Sequence, residues 1–272
     1  MDINTVYYLD LLTLCSQLDD QSVDLILCDL PYGTTACSWD SIIPLDQMWE
    51  QFNRVIKPLG AIVLTATQPF GSMLISSNIK MYKYSWVWCK SKKTDFVRAK
   101  LKPMGSHEDV LVFSHGAVAN GSNRLMNYYP QGLTKIDKIC KNGSTVGGNG
   151  IQGVNFLGRY GDNLGPNNKL RQEKYVQEFT GYPNTVLNFP SESKTIHPTQ
   201  KPVALFEYLI RTYTKENDLV IDPCCGSGTT AIACKNTHRS YIVGDNGVDH
   251  KTGKLWATIS QNRVENLVNA NL

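Results

Sequence analysis

Leu219-Val220-Ile221-Asp222-Pro223-Cys224-Cys225-Gly226-Ser227-Gly228-Thr229-Thr230 passes from a short apolar run, through a turn rich in Pro and Gly, into a regular segment. The pattern predicts a strand over 219–221 and a helix from Thr229 onward. Gly226 and Gly228 allow close backbone approach by a ligand, and the start of the helix offers unpaired N–H groups. Asp245 follows Gly226 by nineteen residues, at the end of the next expected strand, 240–244. A carboxylate there can accept hydrogen bonds from both hydroxyls of a ribose. The turn therefore suits a nucleoside cofactor.

The same residues match the dinucleotide fingerprint GxGxxA, through Gly226, Gly228 and Ala231. Two features weigh against a nicotinamide enzyme. The turn lies close to the C-terminal end, which leaves no room for a second mononucleotide half after it. The chain also carries a second element that has no role in hydride transfer.

That element is Asp29-Leu30-Pro31-Tyr32, at the end of the apolar run Val23-Asp24-Leu25-Ile26-Leu27-Cys28. An exocyclic amine on a heterocycle has its lone pair delocalised into the ring and is a poor nucleophile. Two acceptors can hold its N–H groups and favour a pyramidal nitrogen. Asp29 can supply a carboxylate and Leu30 a carbonyl, which Pro31 keeps aimed by fixing φ. Tyr32 can stack on the base, which must leave a duplex to reach such a pocket. A methyl group on a sulfonium can then meet the amine in line, so positioning does most of the work and no metal is required. Taken alone, the tetrapeptide also reads as a strand ending in a Pro turn with a surface Tyr. Pro223-Cys224 looks like the thiol pair that cytosine C5 chemistry needs, but its place inside the turn marks Cys224 and Cys225 as packing residues.

Outward from these two stretches, strands and helices alternate. Helix is expected over 46–56, ending near Pro58 and Gly60, with strands over 61–65, 85–89 and 109–113. After Pro198 the pattern returns, with a helix over 203–210 that starts beside Pro202 and a last helix over 255–267. Alternation of this kind indicates an α/β fold with a parallel, doubly wound sheet. From Ser114 to Thr195 periodicity fades, and Gly and Asn become frequent, as in 143–150. In that stretch nine Lys or Arg (Arg124, Lys135, Lys138, Lys141, Arg159, Lys169, Arg171, Lys174, Lys194) stand against five Asp or Glu. It reads as an irregular recognition module, or as a long insertion without a partner.

The formal net charge of +3 over 272 residues does not itself announce nucleic-acid binding. Its distribution says more. Lys90, Lys92, Lys93, Arg98, Lys100 and Lys102 fall within thirteen residues, opposed only by Asp95. Such a cluster can neutralise phosphates or form a solvated loop. The eight cysteines form no CxxC pair, which points to reduced thiols in a cytosolic protein rather than to zinc or disulfides. Residues 1–5 lack the pattern of a signal peptide, and no stretch is long and apolar enough to predict a membrane span.

With these motifs in place, the chain resembles the amino-group DNA methyltransferases that use S-adenosylmethionine, over residues 1–113 and 196–272. Asp29-Leu30-Pro31-Tyr32 is similar to the family's Asp-Pro-Pro-Tyr, with Leu30 in place of the commoner first Pro. Residues 222–230 are similar to its Asp-Pro-Phe-x-Gly-Ser-Gly-Thr-Thr, with Cys224 in place of Phe. His197-Pro198-Thr199-Gln200-Lys201-Pro202 resembles the segment that helps bind the methionine end of the cofactor. Tyr8-Leu9-Asp10-Leu11-Leu12 resembles the one whose acid lies near the adenine, although Leu9 replaces the usual Gly. His107 to Phe113 resembles a strand beside the pocket.

The resemblance implies a Rossmann-like mixed seven-stranded sheet. The order of the motifs is that of the family's β group, with target recognition in 114–195. The cofactor site it implies comprises Asp10, His197, Thr199, Lys201, Asp222, Pro223, Gly226, Ser227, Gly228, Thr229 and Asp245. Asp at position 29 favours adenine N6 over cytosine N4. The expected substrate is double-stranded DNA, in restriction–modification, within a bacterial cell or a phage-infected host, and homodimerisation is an expectation that rests on the resemblance alone. A DNA-binding or regulatory protein that keeps the cofactor fold without catalysis is the alternative from another class. Several residues carry weaker readings. His197 can bind a carboxylate or cap the helix after it, His107 reads as a packing residue, Phe70 as a candidate lining for the cofactor adenine, and Trp39, Trp49, Trp86, Trp88 and Trp256 as core.

Overall fold

The structure, a computed structural model, describes residues 1–33, 42–141, 174–193, 195–197 and 199–270. Trp39, the stretch 143–150, Arg159, Lys169, Arg171, Lys194 and Pro198 lie outside the described residues. The described chain forms two compact units, Met1–Tyr129 with Asn184–Leu272, and Pro130–Pro183.

The larger unit is built on a sheet whose strands are β1 (Thr5–Tyr7), β2 (Val23–Cys28), β3 (Ile56–Ala66), β4 (Tyr82–Thr94), β5 (Gly105–Phe113), β8 (Val186–Asn188), β9 (Leu219–Asp222) and β10 (Ser240–Gly244). Their order is β1-β10-β9-β2-β3-β5-β4-β8. The run from β1 to β3 is parallel, β5 is antiparallel to both β3 and β4, and β8 is parallel to β4. The expected mixed sheet is present, with eight strands rather than seven among the described residues. The added edge strand β8 comes from within the irregular 114–195 stretch, where no apolar run announces it.

All six residues of β2 are buried, as a central parallel strand covered on both faces requires. One face packs Leu25, Leu27, Val63 and Val220 against Leu205, Phe206 and Leu209 of α4 (Val203–Tyr213), α5 (Thr229–Asn236), and Val264 of α6 (Trp256–Ala270). The other packs Ile26, Cys28, Ile62 and Leu64 against α1 (Leu11–Ser16), α2 (Leu45–Val55) and α3 (Phe70–Ser77). In α2 the buried set Met48, Trp49, Phe52 and Val55 has helical spacing. The helix stops when Ile56 turns extended, and the chain enters β3 at once. The strand expected to begin at Ala61 thus begins at Ile56. A shift of register between the pairs Val23–Ile56 and Leu25–Ala61 absorbs Pro58 and Gly60. At Gly60 a Cβ would lie 2.7 Å from the Asp24 carbonyl, so the backbones can approach there only without a side chain.

This topology fixes where a ligand can sit. The chain winds one way from β2 through α2 to β3, and the opposite way from β9 through α5 to β10. The boundary between β2 and β9 is therefore the switch point, and a crevice opens at the carboxyl ends of those strands. Asp29 follows β2 there, and Asp222 ends β9. The smaller unit contains an antiparallel pair, β6 (Thr134–Lys141) and β7 (Lys174–Thr180). Among the described residues no helix is long and apolar enough to cross a membrane.

Candidate functional site

A cleft of about 400 Å³ occupies the switch point. Its lining joins the two motifs: Asp29, Leu30, Pro31 and Tyr32 on one side, and Asp222, Pro223, Gly226, Ser227, Thr229 and Asp245 on the other, with His197, Thr199 and Lys201 between them and Asp10 at the rim of α1. Residues separated by nearly the whole chain thus face one space.

Asp29 meets three donors. Tyr32 donates its hydroxyl to Oδ1 over 2.6 Å, Thr65 donates to the same oxygen, and Lys201 Nζ lies 2.6 Å from Oδ2. Lys201 is only 5% exposed and also lies 3.3 Å from Glu108 Oε2, whose other oxygen accepts from Lys90 Nζ at 3.0 Å. The result is a row of alternating charge, Asp29–Lys201–Glu108–Lys90, drawn from the residue after β2, the segment before α4, β5 and β4. Burial works to lower the Lys201 pKa, but Asp29 and Glu108 outweigh it and hold the ammonium above its ordinary value. Burial, reinforced by the neighbouring Asp29 and Glu108 charges, raises the Tyr32 phenol well above its usual range, so it stays a donor. Behind Tyr32, Phe70 packs ring to ring at 5.4 Å. Phe70 was expected to line the cleft, but it is buried and supports Tyr32 from the α3 side.

The turn after β9 is shaped by its own side chains. Asp222 is buried. It accepts from the Cys224 N–H at 3.1 Å and from the Thr230 hydroxyl. Burial raises its pKa to about 7, and the Thr230, Cys224 and Cys28 hydrogen bonds offset that only in part. Asp245 accepts from Gly226 N at 2.9 Å and from Gly247 N at 2.7 Å, which ties the turn to the loop after β10. Gly226 has φ of +50°, and its missing Cβ would face the His197 ring at 3.5 Å, so glycine keeps the cleft floor open. Gly228 also has a duty within the fold. Its φ is +80°, and a Cβ there would overlap Ser260 of α6, so helix packing by itself requires glycine at this position.

Three other expected cofactor residues have local duties. Asp10 caps α1, accepting from Thr13 N at 3.0 Å and Thr13 Oγ1 at 2.7 Å. His197 Nδ1 faces the Thr199 N–H and hydroxyl, its ring packs on Trp256 at 4.3 Å, and burial lowers its pKa to about 4. Lys201, expected in the cofactor site, has its ammonium against the protein carboxylates of Asp29 and Glu108, because strand placement brings them within reach.

The basic cluster divides. Lys90 is half-buried against Glu108, Lys92 donates to the Glu192 carbonyl at 3.0 Å, and Arg98 and Lys102 both pair with Asp95. Lys93 and Lys100 are exposed. Lys90 therefore belongs to the row at Asp29 rather than to a phosphate-facing surface. His107, expected to pack, is exposed, while Trp49, Trp86, Trp88 and Trp256 are core. Thr65 and Glu108 were not singled out. Each is a polar residue at the site end of an apolar strand and in step with inward-facing neighbours, Val63 for Thr65 and Val110 for Glu108. That alternation was the available signal.

Known proteins resemble this chain over most of its length. A family model described as DNA methylase matches residues 23–249. The type II methyltransferase M.HpaI of Haemophilus parainfluenzae is 28% identical over 265 residues, covering 93% of this chain and 71% of that protein. M1.MboII of Moraxella bovis is 26% identical over 268 residues, covering 92% and 94%. Among solved structures, the M1.HpyAVI–SAM complex superposes with a TM-score of 0.57 at 21% identity, covering 95% of this chain and 98% of that one. PvuII DNA methyltransferase, described as cytosine-N4-specific, gives 0.57 at 14% identity, covering 97% and 90%. At those identities the structural likeness speaks for the fold.

Proposed function

The chain belongs to the N6/N4 DNA methylase family, and from that premise we propose that it transfers a methyl group from S-adenosylmethionine to adenine N6 of a base flipped out of duplex DNA. The observation that carries this reading is the placement of Asp29 and Tyr32 at the end of the cleft whose floor is the Gly226 turn. The residues present fit the cofactor. Gly226 leaves the floor free of a side chain, Asp245 anchors the turn beside it, and the cleft volume lies within the range of small-molecule sites. When bound, the cofactor supplies an electrophilic methyl group on a sulfonium.

The protein does the rest by positioning. Asp29 and the Leu30 carbonyl accept the two N–H groups of the amine, and Tyr32 lies against the base. Lys201 and Thr65 hold the Asp29 carboxylate in place, and that carboxylate takes the proton the amine gives up. Asp rather than Ser at position 29 supports adenine over cytosine. Residues 114–195 are assigned to target recognition, and the unit Pro130–Pro183 lies inside them. Modification of DNA within a bacterial or phage-infected cytoplasm, as part of restriction–modification, completes the proposal.

The test is incubation with tritiated S-adenosylmethionine and unmethylated genomic DNA, followed by mass analysis of nucleosides. The expected product is N6-methyladenine. N4-methylcytosine would keep the mechanism and reverse the choice of base, whereas absence of label from DNA with the cofactor still bound would favour a non-catalytic protein. Asp29→Ala is expected to abolish transfer while calorimetry shows the cofactor still binding, and retained turnover in that variant would remove Asp29 from the reaction.

A further inference from the structure

The hairpin joining β4 to β5 carries an apolar knuckle that the site does not use. Phe96 is 78% exposed, Val97 96% and Leu101 84%. Such side chains in water are costly when grouped, and a group of them marks an interaction surface. The knuckle is ordered by its own bonds. Asp95, at φ of +71°, binds Arg98 at 2.7 Å and Lys102, and Arg98 N, Ala99 N and Leu101 N close successive turns. The three apolar side chains are therefore held outward.

Its position matters as much as its chemistry. β5 pairs antiparallel with β3, so that Asp109 stands opposite Ala66 at the carboxyl edge of the sheet, and β5 runs on to Gly105, which pairs with Thr94 after an irregularity that follows Cys89–His107. At the usual rise of a strand, the four steps from Asp109 to Gly105 carry the base of the knuckle roughly 13 Å beyond the edge where Asp29 lies. A duplex that delivers a base to Asp29 must lie across that same edge. Lys93 and Lys100 are exposed in the same stretch, and Arg98 and Lys102 share the single Asp95, so the tip keeps a net positive charge. Two copies of such a tip repel each other, whereas a polyanion is attracted.

Resting on the DNA methylation reading above, we propose that Phe96, Val97 and Leu101 form a wedge that enters the duplex beside the target base and separates stacked bases, while the surrounding cations hold the phosphates. Apolar side chains presented by a cationic element are how proteins unstack and kink DNA, and a projection of this length exceeds the depth of either groove, about 7.5–8.5 Å. The wedge fills the gap that a flipped base leaves, and so lowers the cost of flipping.

The test compares the wild-type chain with Phe96→Ser/Val97→Ser/Leu101→Ser. These side chains make no buried contact, so folding and cofactor affinity should be unchanged by melting and calorimetry. Nicked plasmid is sealed by ligase with each protein bound, and the change in linking number is read on a gel. This readout needs neither the target sequence nor turnover. The wild-type chain is expected to unwind the plasmid and the triple variant to do so several-fold less. The variant should also lose about tenfold or more in methyl transfer, while the salt dependence of DNA binding stays the same because every cation remains.

Equal unwinding by the two proteins, or none by DNA-bound wild type, overturns the wedge. A wild-type dimer that the triple substitution dissociates in sedimentation overturns it too, and gives the knuckle to self-association. Unwinding by the wild type without methyl transfer to any DNA would strike the methylation reading and leave the wedge standing.

Discussion

Asp222→Asn and His197→Asn should tilt the pH dependence of stability in opposite directions. Burial raises Asp222 from 3.8 to about 7, so between pH 4 and 7 the folded chain keeps a proton there that the unfolded chain has lost. A proton bound only in the native state makes stability fall as pH rises. Burial lowers His197 from 6.5 to about 4, with Asp29 opposing that shift and Lys201 aiding it. Over pH 4–6.5 the unfolded chain therefore binds the proton that the folded chain excludes, and stability rises with pH. Each group contributes up to about 1.4 kcal/mol per pH unit, and in the wild-type chain the two slopes largely cancel. Because titration is incomplete at the ends of the window, the shift between pH 6 and 4.5 is roughly 1.5 kcal/mol for each group. Relative to wild type, Asp222→Asn should lose about 3–6 °C in Tm on that acidification, and His197→Asn should gain as much. Thermal unfolding followed by circular dichroism at several pH values reads this directly. Curves for the three proteins that run parallel would refute the burial argument for both groups.

Removing Lys201 should cost more than removing an exposed lysine. Lys201→Met leaves Asp29 and Glu108 facing each other without their shared cation, a loss of about 3–5 kcal/mol, and adding Glu108→Gln should recover part of it in denaturant titration. Unchanged stability of the single variant would show that the row of charges contributes nothing. Gly228→Ala combines a left-handed backbone with overlap at Ser260 and should destabilise by about 2 kcal/mol or more. Ser260→Gly in the same chain should restore only the packing part, and a fully stable Gly228→Ala would contradict the close approach of α6. Asp245→Ala removes the acceptor for Gly226 and Gly247, so cofactor affinity by calorimetry should fall about tenfold. Equal affinity would take Asp245 out of the site.

What the sequence revealed was local, and what it hid was assembled by the sheet. The turn at 222–228 and the tetrapeptide at 29–32 could be read because each carries its Gly, Pro and acid within a few residues. β1 and α1 escaped notice because three half-buried residues and a six-residue helix are too short to show a period. The role of Lys201 could not be read at all. Its partners stand 172 residues away at Asp29 and on another strand at Glu108, and only the order β9-β2-β3-β5 brings them together. The same holds for Gly228. Its missing Cβ makes room for Ser260 of α6, a helix 28 residues or more further on that the turn itself does not announce.

Asp29 follows β2 and Asp222 ends the neighbouring β9, so the switch point that creates the cleft also brings two carboxylates close together, and the Asp29 charge raises the cost of charge on Asp222. The chain treats the two asymmetrically. Lys201 brings an ammonium to Asp29, while the partners of Asp222 are the Thr230 hydroxyl, the Cys224 amide and the Cys28 thiol, none of them charged. Burial then keeps Asp222 largely protonated below neutrality. The segment from His197 to Lys201 makes the arrangement possible, because its first residue walls the Gly226 turn and its last reaches Asp29. A neutral amide should therefore serve at position 222 and fail at position 29. Asp222→Asn should retain most methyl transfer, and Asp29→Asn should lose it, although both remove one carboxylate from the same crevice.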